Sequence, residues 1–372
     1  MVKLKGNILT VKGWFLGEIA FGEVIEGIRG KADAKSRYIV PGFIDVHVHG
    51  GGGGDAMDGT SGLSAMTRFH AAHGTTALLA TTITNPWENV LSALKGVRGF
   101  LGSGSSRVSG SRVLGAHLEG PFINPQRLGA QPPFTVLPTA DRVREILELG
   151  VVKVVTIAPE LEGALEAIEL FLRAGVRVSL GHTVASAEVV NEVFALAAKL
   201  GKSSLICGTH LYNAMGGLTG RNPGVVGALL GNPNSYAEII LDGHHVHNSA
   251  FRAAFFAKPD KLMLITDAIR AAGGADGEYD LGGQSVRLQQ GAVRLPNGSL
   301  AGSVLTMIGA VKNAVTAGLA LEVALKLASL NPAQYLGLQG YGKLTVGAVA
   351  DVVVLSESLE IEAVYVGGQQ VV

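Results

Sequence analysis

Short apolar runs recur along the chain, and most are separated by stretches with helical apolar spacing. The runs 43–48, 75–82, 113–118, 151–157, 176–180, 204–207, 237–241 and 262–265 read as strands. They are continuously apolar rather than alternating, as strands covered on both faces must be. The stretches 64–73, 88–100, 140–149, 161–174, 187–200 and 251–256 read as helices. Strands alternating with helices predict an α/β fold with a parallel sheet. Eight such units predict a (β/α)8 barrel of TIM type.

The two ends of the chain have a different texture. Residues 1–40 hold short apolar segments broken by Gly13, Gly17, Gly22, Gly27 and Gly30, the pattern of small antiparallel strands. Short β segments return at 343–346, 351–355 and 362–366. Their similar character predicts one small β-sandwich domain, 1–40 plus 340–372, beside a barrel of 41–339. Residues 271–300 are Gly-rich with strand-like pieces at 285–288 and 292–295, and 304–330 reads as two helices. The Gly/Ser-rich stretch 102–111 reads as a surface loop.

Composition narrows the function. The 372 residues are 47% hydrophobic and 16% charged, enough for a large core. Formal net charge is zero and no basic stripe appears, which argues against a nucleic-acid partner. Cys207 is the only cysteine, so no intrachain disulfide can form and a reducing compartment is expected. Residues 1–10 lack the apolar core of a signal peptide, and no run is long enough to span a bilayer. These features predict a cytoplasmic protein with no membrane partner.

The candidate chemistry lies at the ends of the expected strands, where barrels of this type hold their active sites. The first strand ends in His47-Val48-His49, and alternate positions on a strand share a face. Glycines 50–54 then allow a sharp turn. The third ends in His117-Leu118-Glu119, the fifth in Gly181-His182-Thr183 and the sixth in Thr209-His210. Asp242-Gly243-His244-His245 follows the seventh and Thr266-Asp267 the eighth. Glu119, His182 and His210 can converge as two imidazoles and a carboxylate, leaving a position for water, as in hydrolytic zinc sites. A metal there activates water, and Asp267 can take and return its proton. His47 and His49 either hold a second ion with Glu119 bridging or border the site. His70 and His73 fall on an expected helix and read as structural or solvated. No nucleophile elbow, P-loop or dinucleotide fingerprint stands in its required context.

Together these motifs resemble a known family. Residues 41–50 resemble the opening strand of the amidohydrolase superfamily. His117-Leu118-Glu119-Gly120-Pro121-Phe122, Thr209-His210-Leu211-Tyr212-Asn213-Ala214-Met215 and Thr266-Asp267-Ala268 resemble its N-acetylglucosamine-6-phosphate deacetylases. The resemblance implies hydrolysis of the acetamide of that sugar phosphate to glucosamine 6-phosphate and acetate. It implies a divalent metal cofactor, with zinc expected, on Glu119, His182 and His210, a second ion on His47 and His49, and Asp267 as acid/base. It also implies substrate contacts from Asn213, Ala214, Arg221, His245, Leu300, Ala301 and Gly302. Arg221 would reach the phosphate from a neighbouring subunit, hence a homodimer. The family's Lys-Gly-Ala-His-like segment reads Arg127-Leu128-Gly129-Ala130-Gln131 here. Ala130 and Gln131 therefore stand at substrate-binding positions, and Gln131 cannot carry the histidine's charge. That departure keeps open a related amidohydrolase acting on another N-acyl amine or acetamido sugar. A non-catalytic binding homologue would be expected to lose ligands, whereas all are present.

Overall fold

The computed structural model describes residues 1–30, 37–103 and 110–372. The chain opens with β1 (Val2–Thr10), β2 (Gly13–Phe21), β3 (Ile25–Gly30), β4 (Arg37–Pro41) and β5 (Phe43–Val48). A small hairpin of β6 (Gly50–Gly51) and β7 (Gly54–Asp55) leads to α1 (Gly59–Ala72). Then follow β8 (Thr75–Thr82), α2 (Trp87–Gly102), β9 (Arg112–Glu119), α3 (Ala140–Leu149), β10 (Val152–Ile157), α4 (Ala164–Arg173), β11 (Arg177–Leu180) and α5 (Ala187–Lys199). Next come β12 (Ile206–Gly208), α6 (Gly224–Gly231), β13 (Ala237–Ile240), α7 (Asn248–Ala257) and β14 (Leu262–Ile265). A three-stranded insertion, β15 (Gly277–Leu281), β16 (Gln284–Gln289) and β17 (Ala292–Arg294), precedes α8 (Met307–Thr316), α9 (Leu321–Ala328) and α10 (Leu330–Leu336). The chain closes with β18 (Val352–Ser356), β19 (Ile361–Val366) and β20 (Gln369–Gln370).

The parallel sheet runs β12-β11-β10-β9-β8-β5, and β13 pairs in parallel with β14. Backbone bonds close the two arcs into one barrel. Gly208 N–H donates to the Tyr236 carbonyl (3.1 Å) and Tyr236 N–H to that of Ile206 (2.9 Å). At the other seam Asp267 N–H donates to His47 O and His49 N–H to Ala268 O, both at 2.9 Å. This is the expected (β/α)8 barrel. Its strands β5, β8, β13 and β14 are buried at every position, which is why they read as mostly apolar runs. The helices present one apolar stripe each: α4 buries Ala164, Ala167, Ile168, Phe171 and Leu172 at helical spacing. No helix of the described residues is long and apolar enough to cross a membrane.

Strands expected at 43–48, 75–82 and 262–265 have the observed bounds, and the other five barrel strands shift by one or two residues. Helix α1 begins five residues before the expected 64, through Gly59-Thr60-Ser61-Gly62. Those are poor helix formers, and packing decides: a Cβ on Gly62 would lie 2.1 Å from the Asp55 carbonyl oxygen. Residues 343–346 form no strand, only a bridge from Leu344 to Thr10 between the turns at Gly342 and Gly347. A third helix, α10, follows the two expected over 304–330. Most of the loop expected over 102–111 lies outside the described residues.

Both termini contribute to one seven-stranded sheet, β20-β19-β18-β4-β1-β2-β3. It folds over on itself. Phe21 on β2 meets Tyr365 on β19 edge to face at 5.2 Å, although β18, β4 and β1 lie between them in the ladder. Ile8, Ile19, Ile39, Val352 and Val354 fill the enclosed core, giving a sandwich-like unit. A second small core joins Leu281, Val286, Leu288 and Val293 of the insertion to Ile83 and Ile269 at the barrel mouth. The insertion is thereby fixed beside the strand ends that carry the candidate site.

Candidate active site and metal centre

Glu119 is the last residue of β9, while His182, His210 and Asp267 each lie two residues beyond β11, β12 and β14. His47 is inside β5 and His49 just past it. His182, His210 and Asp267 all adopt positive φ, at 49°, 30° and 49°. Left-handed backbone at a non-glycine residue costs on the order of 1–3 kcal/mol and gathers at functional sites. Here it occurs at three of the barrel strand ends that carry the site, those of β11, β12 and β14.

The side chains meet around one carboxylate. Glu119 Oε1 lies 3.1 Å from His182 Nε2 and 3.0 Å from His210 Nε2, and the two nitrogens are 3.1 Å apart. Glu119 Oε2 lies 3.1 Å from His49 Nε2 and 3.5 Å from His47 Nε2. Asp267 Oδ1 lies 3.2 Å from His49 Nε2 and 3.5 Å from His47 Nε2. Two donor sets therefore share Glu119, one through each oxygen: Glu119/His182/His210, and His47/His49 with Asp267.

These donors fit divalent cations. His182 Nδ1 is 2.8 Å from the Arg127 carbonyl, which can only accept, so Nδ1 carries the proton and a neutral ring turns its Nε2 lone pair inward. His47 Nδ1, 3.0 Å from Glu238 Oε2, leaves its Nε2 aimed inward in the same way. Electron pairs converging at about 3 Å repel unless a proton or a metal cation lies among them. Tetrahedral zinc with ~2.0–2.1 Å bonds sets neighbouring ligand atoms roughly 3.3 Å apart, close to the edges of the first set.

Without an ion the surrounding carboxylates draw protons onto His47 and His49, and a cation would replace those protons. Burial alone would lower the His47 pKa, but Glu119, Asp267 and Glu238 together raise it well above the ordinary value. His49 is likewise raised to about 9 by Asp267 and Glu119, against burial. Glu119 and Asp267 would be raised by burial, yet the surrounding histidines hold both below their usual range, so both are carboxylates. Asp45 is different: burial pushes it up to about 7 despite bonds from the Thr266 hydroxyl and the His47 amide.

Glu238 was not anticipated. Its Oε2 faces His47 Nδ1 at 3.0 Å and accepts the His210 amide at 3.3 Å, touching both donor sets from behind. A lone carboxylate inside the otherwise apolar strand β13 was the available signal. His117 lies behind His47 at 4.6 Å between ring centres. It bridges the Val46 carbonyl and the Thr156 hydroxyl, and burial lowers its pKa to about 4.

A chamber of about 470 Å³ opens over the cluster. Ala130, Gln131, Asn213, Ala214, His245, Leu300 and Gly302 line it with His49, Glu119, His182, His210 and Asp267, as expected, while His47 is buried behind them. His245 is selected from its neighbours because Asp242 Oδ2 holds its Nδ1 at 2.7 Å, while His247 caps α7. Ala301 does not line the chamber: it is buried in the insertion core, donating to the Val293 carbonyl. Arg221 is exposed and does not line its own chain's chamber. Gln131 is fixed at both ends: its Oε1 accepts from Thr84 N–H and its Nε2 donates to Glu119 Oε2, both at 2.7 Å. His70 is structural, donating to the Gly50 carbonyl at 2.9 Å.

The pattern of the amidohydrolase family matches residues 38–371. The chain is 38% identical to an N-acetylgalactosamine-6-phosphate deacetylase of Escherichia coli O157:H7, covering 98% of this chain and 97% of that one. It is 40% identical to an N-acetylglucosamine-6-phosphate deacetylase of Vibrio furnissii, covering 90% and 82%. A mutant Mycobacterium smegmatis N-acetyl-D-glucosamine-6-phosphate deacetylase, solved in complex with N-acetyl-D-glucosamine-6-phosphate, superposes with a TM-score of 0.91 at 34% identity over 100% and 99% of the chains.

Proposed function

The chain belongs to the amidohydrolase family, and from that premise we propose that it hydrolyses the acetamide of N-acetylglucosamine 6-phosphate to glucosamine 6-phosphate and acetate. The observation that carries this reading is the meeting of Glu119, His182, His210 and Asp267 on the floor of one chamber. Glu119, His182 and His210 hold a divalent ion, zinc by the nature of the donors, and His47 with His49 hold a second. Such an ion supplies Lewis-acid polarisation of the acetyl carbonyl and lowers the pKa of water.

The remaining work falls to the chain's own residues. Asp267, whose Oδ1 lies 3.2 Å from His49 Nε2 and 3.5 Å from His47 Nε2, accepts the proton of the attacking water and delivers it to the amine nitrogen as the C–N bond breaks. Gln131 fixes the rotation of Glu119. His245, with its Nδ1 engaged by Asp242, turns Nε2 to the sugar, beside Asn213, Ala214, Leu300 and Gly302. Arg221 reaches the phosphate of a second copy, making the working unit a cytoplasmic homodimer. The sandwich-like unit, 1–40 with 340–372, acts as a separate domain beside the barrel of 41–339.

A second reading is deacetylation of N-acetylgalactosamine 6-phosphate. It is favoured by similarity over nearly the whole chain to a deacetylase of that sugar. Acetate release from both phosphorylated sugars and their unphosphorylated forms separates the readings. Higher kcat/KM for the gluco phosphate is expected. Preference for the galacto phosphate selects the second reading, and turnover of neither rejects both.

A further inference from the structure

Strand β10 supplies no member of either donor set, yet a carboxylate stands three residues beyond its end. Glu160 lies between two loops, and the groups bonded to it are all donors. Its Oε1 accepts from the Val184 amide and from Asn124 Nδ2, both at 2.8 Å, and its Oε2 accepts from the Thr183 hydroxyl. Their directions are set by other contacts. Asn124 Oδ1 is taken by the Gln126 amide at 2.8 Å, so Nδ2 is the end left to face Glu160. Thr183 Oγ1 accepts from the Ala185 amide at 2.9 Å, which leaves its own proton for the carboxylate. Asn124 and Thr183 are both buried.

His182 stands where these two loops meet. Its carbonyl accepts from the Asn124 amide at 2.9 Å. Its Nδ1 faces the carbonyl of Arg127 at 2.8 Å, at the end of the single helical turn that Asn124 caps. Ring and backbone of this donor are therefore bonded to the loop that Glu160 grips. His210 differs: its Nδ1 is buried with no hydrogen-bond partner among the described residues. The held imidazole of the first donor set is thus His182. The same loop runs on to Gly129, Ala130 and Gln131, which line the chamber.

We infer that Glu160 is a positioning residue: it clamps the loop 124–131 to the turn 182–184, and so fixes the ring of His182 and one wall of the chamber together. Glu160 itself stays outside the chamber lining, so it acts through these groups and not on the substrate. The inference rests on the proposed metal centre and deepens it, by assigning what holds one of its ligands in place.

The test measures zinc affinity by competition with a chromogenic chelator, on full-length wild type and variants shown by circular dichroism to be folded. Glu160→Ala should weaken zinc binding by about 10- to 100-fold, the usual cost of losing a group that orients a metal-bound histidine. At saturating zinc the same variant should show a raised KM for N-acetylglucosamine 6-phosphate, because the chamber wall has lost its anchor. Glu160→Gln should recover most of both. Its amide oxygen still accepts from Asn124 and Val184, and its NH2 can donate to the Thr183 oxygen. A merely structural glutamate would lower the unfolding midpoint and leave the zinc affinity of the folded protein where it was. Thr183→Val removes one arm of the clamp, should weaken zinc binding by a smaller factor, and carries the test if Glu160→Ala fails to fold. Wild-type zinc affinity in the folded variant, or a Glu160→Gln protein no better than Glu160→Ala, overturns the inference while leaving the metal centre intact. A wild-type protein that binds no divalent ion overturns that centre and the inference with it.

Discussion

Replacing Gln131 probes how the donor cluster is held. Its amide is clamped between Thr84 N–H and Glu119 Oε2, both at 2.7 Å, and all three residues are buried. Gln131→Ala removes a hydrogen bond to a charged acceptor, worth about 1.5–3 kcal/mol. It also strands the Thr84 amide without a partner, at a cost of about 1–3 kcal/mol. These effects overlap, because water entering the gap can satisfy part of each, so the expected loss is about 2–4 kcal/mol. Gln131→Met keeps the volume and loses only the polar atoms, which separates packing from hydrogen bonding. Denaturant unfolding of the metal-loaded enzyme and both variants reads the stability, and metal analysis after dialysis reads whether Glu119 still holds its orientation. Both variants should be destabilised and should retain less metal. A Gln131→Met protein within about 0.5 kcal/mol of wild type, the range of inconsequential surface changes, with full metal content would refute the clamp.

Other expectations follow from the same geometry. Asp267→Asn should keep fold and metal but lower kcat by roughly 10²-fold or more, as for a missing general acid/base, and near-normal turnover would make Asp267 structural. Arg221→Ala should lose efficiency mainly on the phosphorylated sugar. Mixed with Asp267→Asn protein it should regain activity through hybrid dimers, and failure to complement would argue against a shared site. His70 is buried and its pKa is pushed from 6.5 down to about 4, so only the unfolded chain takes up its proton between those values. Its contribution to stability is therefore complete above about pH 6.5 and falls by about 1.4 kcal/mol per pH unit on acidification toward 4. His70→Gln, which can still donate to Gly50, should flatten that acid limb by about one proton in pH-dependent unfolding, and an unchanged slope would contradict it.

The barrel and most of its site were legible because the features that form them are local. A strand covered on both faces is mostly apolar, and a polar residue closing such a run, as Glu119 or Asp267 does, lies at the barrel mouth. Gln131 was legible as a departure, but its clamp was not, since Thr84 stands 47 residues away. Glu238 was hidden because its partners come from β5 and from the loop after β12, contacts that only barrel closure creates. The start of α1 was obscured because Gly62 is chosen for close approach to Asp55 rather than for helix propensity.

Metal dependence of acetamide hydrolysis can be read directly. The enzyme is stripped of metal with a chelator, checked by elemental analysis, and titrated with a divalent ion while acetate and glucosamine 6-phosphate are followed together. Activity should be absent in the stripped protein and rise with the ion until the sites fill, with one acetate released for each amino sugar formed. A His182→Ala protein should fail to recover over the same titration. Full turnover in the thoroughly stripped protein, or wild-type recovery in His182→Ala, would contradict catalysis at the Glu119, His182 and His210 centre.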